Sequence, residues 1–276
     1  MTKWLLDNLD MNQYETKVVF ANTGREREET LEFIHNCDLH FGFGTIWVEC
    51  ITNPEHGKGV AARIVTYETA SRNGEPFEES IKKHGISNVK RPFCTRELKT
   101  RTINAYMRAI GWKKYHRAIG IRIDETDRIN PNYKKERIIY PLVSMVPMRK
   151  ADIFSFWEQQ PFTLNLKPYQ GNCDCCFKKS LRKLLTIAKE EPQRFDWWVA
   201  MERKYGECVP ESQKHNPKAI PPFHFFRGNV SALEILEMSK TFIDVVKDER
   251  TEHAQLTLFG FDLDVSNGCS ESCEAF

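Results

Sequence analysis

Two short cysteine-bearing stretches limit the folds open to this chain. Cys173 and Cys176 sit in Gly171-Asn-Cys-Asp-Cys-Cys-Phe-Lys-Lys179, and Cys94 lies about eighty residues upstream in Arg91-Pro-Phe-Cys-Thr-Arg-Glu-Leu-Lys99. A C-x2-C loop lets two sulfurs converge without strain, and thiolates suit zinc and iron–sulfur centres. If Cys94 joins that pair, the chain must fold back over the intervening residues. The spacing therefore offers Cys94, Cys173 and Cys176 as metal ligands without naming the metal. Cys175 is expected to point away, because adjacent residues rarely face one ion. Cys208, Cys269 and Cys273 are open as a fourth ligand, with Cys208 expected beside the three. Cys269 and Cys273 read equally as redox or nucleophilic thiols on a mobile tail. Cys37 ends a helical face and Cys50 ends a strand, so both read as packing.

Composition narrows the setting. A chain of 276 residues can bury one large α/β domain, or a domain with a smaller lobe. The net charge of +2 argues against a strongly electrostatic nucleic-acid or membrane partner. No apolar run approaches the roughly 18 residues of a membrane span. The opening Met1-Thr-Lys-Trp-Leu-Leu-Asp7 lacks the apolar core and cleavage site of a signal peptide. The nine cysteines then read as reduced thiols or ligands, and the expected location is the cytoplasm.

Residues 1–10 resemble half of an amphipathic helix. Strands are expected at 17–21, 45–50, 63–67, 118–123 and 137–140. Thr23-Gly-Arg-Glu26 has capping-box spacing and would start the helix carrying Leu31 and Ile34. Another helix is expected over 97–110, stopped by Gly111. Alternating strands and helices predict a mostly parallel open sheet with helices on both faces, over residues 1–168. Beyond it, residues 169–276 read as a helical, cysteine-bearing lobe. Ser180 and Pro192 open helices there, and Ser231-Ala-Leu-Glu234 caps a last one.

Three motifs suggest anion chemistry. Phe20-Ala-Asn-Thr-Gly24 falls at the carboxyl end of a strand and the amino end of a helix, where open α/β sheets bind ligands. Backbone N–H groups there, at Thr23 and Gly24, together with Arg25 and Arg27, would attract phosphate or sulfate, unless the segment is an ordinary N-cap and turn. Arg122 and Arg128 leave a later strand with Asp124 and Glu125 between them, which is either an oxyanion fork or a loop of paired charges. Lys178, Lys179, Arg182 and Lys183 flank the cysteines. They read as a solvated face, as an offset for thiolate charge, or as a hold for an anionic substrate.

In order, these segments resemble the phosphoadenosine phosphosulfate (PAPS) reductase family, within the PP-loop adenine-nucleotide α-hydrolase-like fold. Phe20–Gly24 with Glu29-Thr30-Leu-Glu-Phe33 is similar to the family's "DTG…PET" segment. Cys94–Lys99 falls where cluster-bearing adenylylsulfate reductases carry a double cysteine followed by a basic pair. Gly120–Arg128 resembles the "G-x-R…S-x-x-R" stretch, and Tyr140-Pro-Leu142 with Asp152-Ile153 and Trp157 the "PL…W…DV" segment. The likeness spans about residues 15–200 and is nearest to a phage and bacterial branch ending in "GNC-x-x-CFKK". Phe93 stands where relatives carry the other cysteine of the pair. The family's "SGG-x-[DT]-S" loop does not occur in this sequence, and Met1 falls about where the chain should be leaving it, so the reading is of an N-terminally truncated Rossmann-like, PP-loop-type fold.

The resemblance implies an oxidoreductase or sulfurtransferase of sulfur metabolism acting on an adenine nucleotide (PAPS, APS or ATP). It implies a [4Fe–4S] cluster on Cys94, Cys173 and Cys176, with zinc as the alternative. Its partners would be a sulfur-bearing substrate and a thiol reductant protein, or a tRNA or DNA sulfur acceptor, with no membrane. The other reading is a non-catalytic zinc- or cluster-stapled binding module that has lost the nucleotide loop.

Overall fold

The apolar run after Lys17 forms β1 (Val19–Asn22), which pairs in parallel with β2 (Ile46–Thr52). In the computed structural model, which describes residues 1–247, β2 then pairs antiparallel with β3 (Val60–Val65). The connector, Asn53 to Gly59, is too short for a parallel crossover and makes a hairpin instead. Two further strands, β4 (Arg117–Ala118) and β5 (Ile138–Ile139), pair in parallel as a separate ribbon. The protein is thus mixed α/β with a small sheet, and at about 43% helix the helices supply most of its interior. The mostly parallel sheet expected from the sequence is, among the described residues, one three-stranded sheet with an antiparallel edge and one short ribbon. The run after Ala118 yields little strand because Arg122 leads into a 3₁₀ turn, Ile123–Arg128.

Helices do cover both faces of the three-stranded sheet. Successive strand residues point to opposite sides. Phe20 and Trp47 pack with Leu31 and Ile34 of α2 (Glu28–Phe41), whereas Ala21 and Val48 pack with Tyr106 and Met107 of a later helix. Ahead of them, α1 (Thr2–Asn8) buries only Leu5. After β3 comes α3 (Glu75–His84), then a π-helical segment, Thr95–Arg101, running into α4 (Thr102–Ala109), with Gly111 beyond its end. A short α5 (Pro141–Ser144) and α6 (Lys150–Glu158) follow the ribbon, and α6 buries none of its residues.

From Ser180, whose hydroxyl accepts from the Lys183 N–H, the chain builds α7 (Leu181–Glu190). A 3₁₀ turn opened by Pro192 continues into α8 (Asp196–Tyr205). Ser231 and Glu234 form the expected capping box on α9 (Ala232–Thr241). The largest apolar cluster runs through Phe77, Ile81, Leu98, Phe177, Leu185, Trp198, Phe225 and Ile235, so it draws on both sides of position 168. No described helix is long and apolar enough to cross a membrane.

Candidate functional site

The turn from β1 into α2 is built against the cysteine loop. Glu26 and Cys173 form an antiparallel bridge, the Arg27 N–H donates to Asn172 O at 2.7 Å, and the Asp174 N–H to Arg25 O at 3.1 Å. The capping-box hydrogen bonds expected at Thr23 and Glu26 are present, since the Thr23 N–H and hydroxyl both donate to Glu26 Oε2 at 2.8 Å. They do not open the helix. Arg27 is the N-cap and α2 begins at Glu28, because the intervening backbone is committed to the loop at 172–174.

Asp174, buried between the cysteines, organises that loop. Its Oδ1 accepts from the Cys175 N–H at 2.8 Å and from Trp198 Nε1 at 3.2 Å, and Oδ2 accepts from Arg25. The Arg25 guanidinium also lies over the Trp197 ring, 5.0 Å from its centroid. Gly24 abuts Gly74 and Pro76. Gly24 and Arg25, expected to face an anion, here pack the turn and hold the cysteine loop.

One small cavity, with room for about one water molecule, is lined by Cys94, Cys173 and Cys176 together with Thr23, Glu26, Phe77, Thr95, Lys99, Phe177 and Trp198. The three cysteines singled out in sequence therefore border one space. Cys94 arrives as the residue before the π-helical segment, Lys99 from within it, and Thr23 from the end of β1. Two oxygens in the lining, Glu26 Oε1 and Thr95 Oγ1, are buried with no hydrogen-bond partner. Lys99 Nζ stands 3.4 Å from Glu26 Oε1. Among the described residues no group of three or more His, Cys, Asp or Glu is arranged to hold a metal ion. The sulfurs share a cavity rather than a point.

The remaining cysteines lie elsewhere. Cys175 is fully buried with its thiol towards Arg194 O, and burial, with Asp174 beside it, pushes its pKa well up. Burial raises Cys50 as well, and burial with the Asp38 charge pushes Cys37 up to about 12, so these thiols stay protonated and inert. Cys208 does not join the three: it is exposed beyond the end of α8 and lines a different depression with His56, Lys83 and Pro210. Cys269 and Cys273 lie outside the described residues.

Arg122 and Arg128 do not line the sulfur cavity. Arg122 Nε donates to Asp124 at 2.9 Å, and both guanidiniums pair with Glu125 on their own 3₁₀ turn, so the paired-charge arrangement is what forms. Of the basic run, Arg182 binds Asp244, and Lys179 is buried over Gly171. Sequence reading passed over Phe77, Thr95 and Trp198 as lining residues and saw Glu26 only as a cap. For Glu26 the available signal was its place between an anion-type turn and a helix that did not need it.

The chain is 30% identical to the "Uncharacterized nin region protein ORF290" of Escherichia phage lambda over 285 aligned positions, covering 99% of this chain and 90% of the relative. It belongs to the family of that phage protein. No family model and no solved structure matches it.

Proposed function

We propose that this protein is a PAPS reductase-like enzyme with a Rossmann-like, PP-loop-type ancestry, which carries a thiolate-bound iron–sulfur centre and acts on an adenine nucleotide. The observation that carries the reading is the meeting of Cys94 with Cys173 and Cys176 around one cavity beside the end of β1. Three thiols bordering one space is the donor chemistry of a cluster, in which each iron takes its own cysteine. Cys94, Cys173 and Cys176 would hold a [4Fe–4S] cluster, which would supply electrons and charge stabilisation to sulfur chemistry at the cavity mouth.

The chain's own groups have definite tasks in this reading. Lys99 offers a cation for a substrate oxyanion, and phosphate and sulfate oxygens are drawn to such a charge. Asp174 and Arg25 fix the backbone from which Cys173 and Cys176 project. Phe77, Phe177 and Trp198 wall the cavity with apolar surface, which strengthens electrostatics inside it.

A specific observation favours a second reading. Gly24 abuts Gly74 and Pro76 where a Cβ would stand, and Arg25 is turned to Asp174, so two of the residues expected to receive phosphate are engaged with protein. A non-catalytic, zinc-stapled module fits that arrangement. Metal and acid-labile sulfide analysis of anaerobically purified protein separates the two, together with equilibrium binding of adenine nucleotides. Iron and sulfide in equal amounts with nucleotide binding is the expected result. One zinc per chain, no sulfide and no nucleotide binding would replace the enzyme by the staple.

A further inference from the structure

The two strands of the short ribbon run parallel, so the segments leading into them lie side by side at one end. Both segments are basic: Lys113-Lys-Tyr-His-Arg117 opens β4, and Tyr133-Lys-Lys-Glu-Arg137 leads into β5. The Arg117 N–H donates to Arg137 O at 2.8 Å, which joins the two. Arg137 holds a left-handed backbone, φ +53°, with its N–H on Lys134 O, a conformation uncommon outside glycine. In these ten residues six lysines and arginines meet one carboxylate, Glu136, whereas the whole chain nets only +2. The overall charge therefore conceals a basic pole, and the rest of the chain is acidic on balance.

Most of the charge at this pole is open to solvent. Glu136 pairs with half-buried Arg117 at 3.2 Å. Lys113, Lys114, Lys134, Lys135 and Arg137 are exposed, and none of them makes an ion pair among the described residues. Other basic groups are neutralised by the chain itself: Arg122 and Arg128 by Glu125, Arg72 by Glu28, and Arg182 by Asp244. Like charges gathered this closely repel one another, and a polyanion laid across them would relieve that repulsion.

The surrounding chemistry selects among polyanions. None of the ten residues is an exposed large apolar side chain. A membrane-surface site would supply such side chains for insertion among lipids, and a protein interface would supply an apolar centre. Lysines standing alone are point charges suited to the repeated phosphates of a nucleic-acid backbone. We propose that the basic end of the ribbon, through Lys113, Lys114, Lys134, Lys135 and Arg137, docks the phosphate backbone of a nucleic acid without reading its sequence. The site is independent of the sulfur-lined cavity and of the function proposed for it.

The test titrates full-length protein into a fluorescein-labelled DNA single strand of about 20 nucleotides and follows anisotropy from about 50 to about 200 mM salt. Affinity is expected to fall steeply with salt as counterions are released. The fourfold variant Lys113→Gln, Lys114→Gln, Lys134→Gln, Lys135→Gln is expected to bind at least about tenfold more weakly at low salt, with a logarithmic salt slope shallower by about 3. A matched variant, Lys58→Gln, Lys82→Gln, Lys214→Gln, Lys240→Gln, removes the same charge elsewhere and is expected to keep the wild-type slope. Thermal melting checks folding. Should the first variant melt early, its two halves decide, at 113 with 114 and at 134 with 135, each expected to flatten the slope by about half as much. Equal weakening in the two fourfold variants would overturn the assignment, as would wild-type protein that leaves the strand unbound at low salt. Wild-type protein that ignores the strand but sediments with phosphatidylserine vesicles would overturn it in favour of a membrane surface.

Discussion

Arg27 and Glu191 lie 164 residues apart in sequence and meet as a parallel pair, with Nη1 donating to Oε1 at 3.2 Å and Nη2 to Oε2 at 2.7 Å. Arg27 is wholly buried, and the pair ties the turn after β1 to the end of α7. Removing Arg27 leaves Glu191 to Arg194 and Gln170, so what is lost is the two charge-assisted hydrogen bonds of the pair. Arg27→Met is expected to cost about 3 kcal/mol in urea unfolding. A loss below about 1 kcal/mol would mean the pair is no tie.

Acid should expose the same contact. Burial works against ionisation of Glu191, but hydrogen bonds from Arg27 and Arg194 outweigh it and hold the carboxyl at about 2, below its ordinary 4.5. A depressed folded pKa means the stabilisation is complete above 4.5 and drains away as pH falls from there through 2. Urea midpoints at pH 6, 4 and 2.5 should fall more steeply for wild type than for Glu191→Gln. Parallel curves would assign acid loss to other groups.

Trp197 presses on Gly74, whose φ is +88°, and a Cβ there would stand 2.6 Å from the indole Nε1. Gly111 has the same φ with open space around it, so Gly111→Ala measures backbone strain alone, about 1 kcal/mol. Gly74→Ala adds displacement of Trp197 and of the Arg25 stacked on it, and should cost roughly 1–3 kcal/mol more with a changed tryptophan emission. Equal losses in the two variants would show that the ring gives way freely.

Metal content should sort the cysteines. Cys94→Ser, Cys173→Ser and Cys176→Ser are expected to lose most bound metal, whereas Cys50→Ser, on a thiol held in packing, should retain it. Equal metal in all four variants would dissolve the site.

Alkylation of native protein followed by peptide mapping gives an independent view. Exposed Cys208 should label within the first minutes, and Cys37, Cys50 and Cys175 only after unfolding. Burial both blocks access to these three and raises their pKa, which suppresses the reactive thiolate. Early modification of Cys175 would contradict its placement.

What could be read from the sequence followed local rules. Ser231 and Glu234 cap α9, Ser180 opens α7, and β1 and β2 form where apolar runs stand between turn residues, because propensity and packing agree there. That Cys94 borders one cavity with Cys173 and Cys176 was legible from residue type, a signal blind to distance along the chain. The helix α3 escaped notice because Glu75–His84 is mostly charged, with only Phe77 and Ile81 marking its inner face. The antiparallel turn into β3 was hidden because pattern alone does not give strand direction. The contacts of Arg25 and Glu26 with the cysteine loop were not legible for a shared reason: their partners, Asp174 and Cys173, lie some 150 residues away.

The apolar cluster that spans position 168 has a consequence for how the molecule is made. While the ribosome has released only the sheet, Phe77, Ile81 and Leu98 lack the surfaces of α7, α8 and α9 that later cover them. Completing the interior and enclosing the sulfur-lined pocket are therefore one late event in synthesis, and a truncated chain ending after the sheet would expose sticky surface instead of yielding half a working protein.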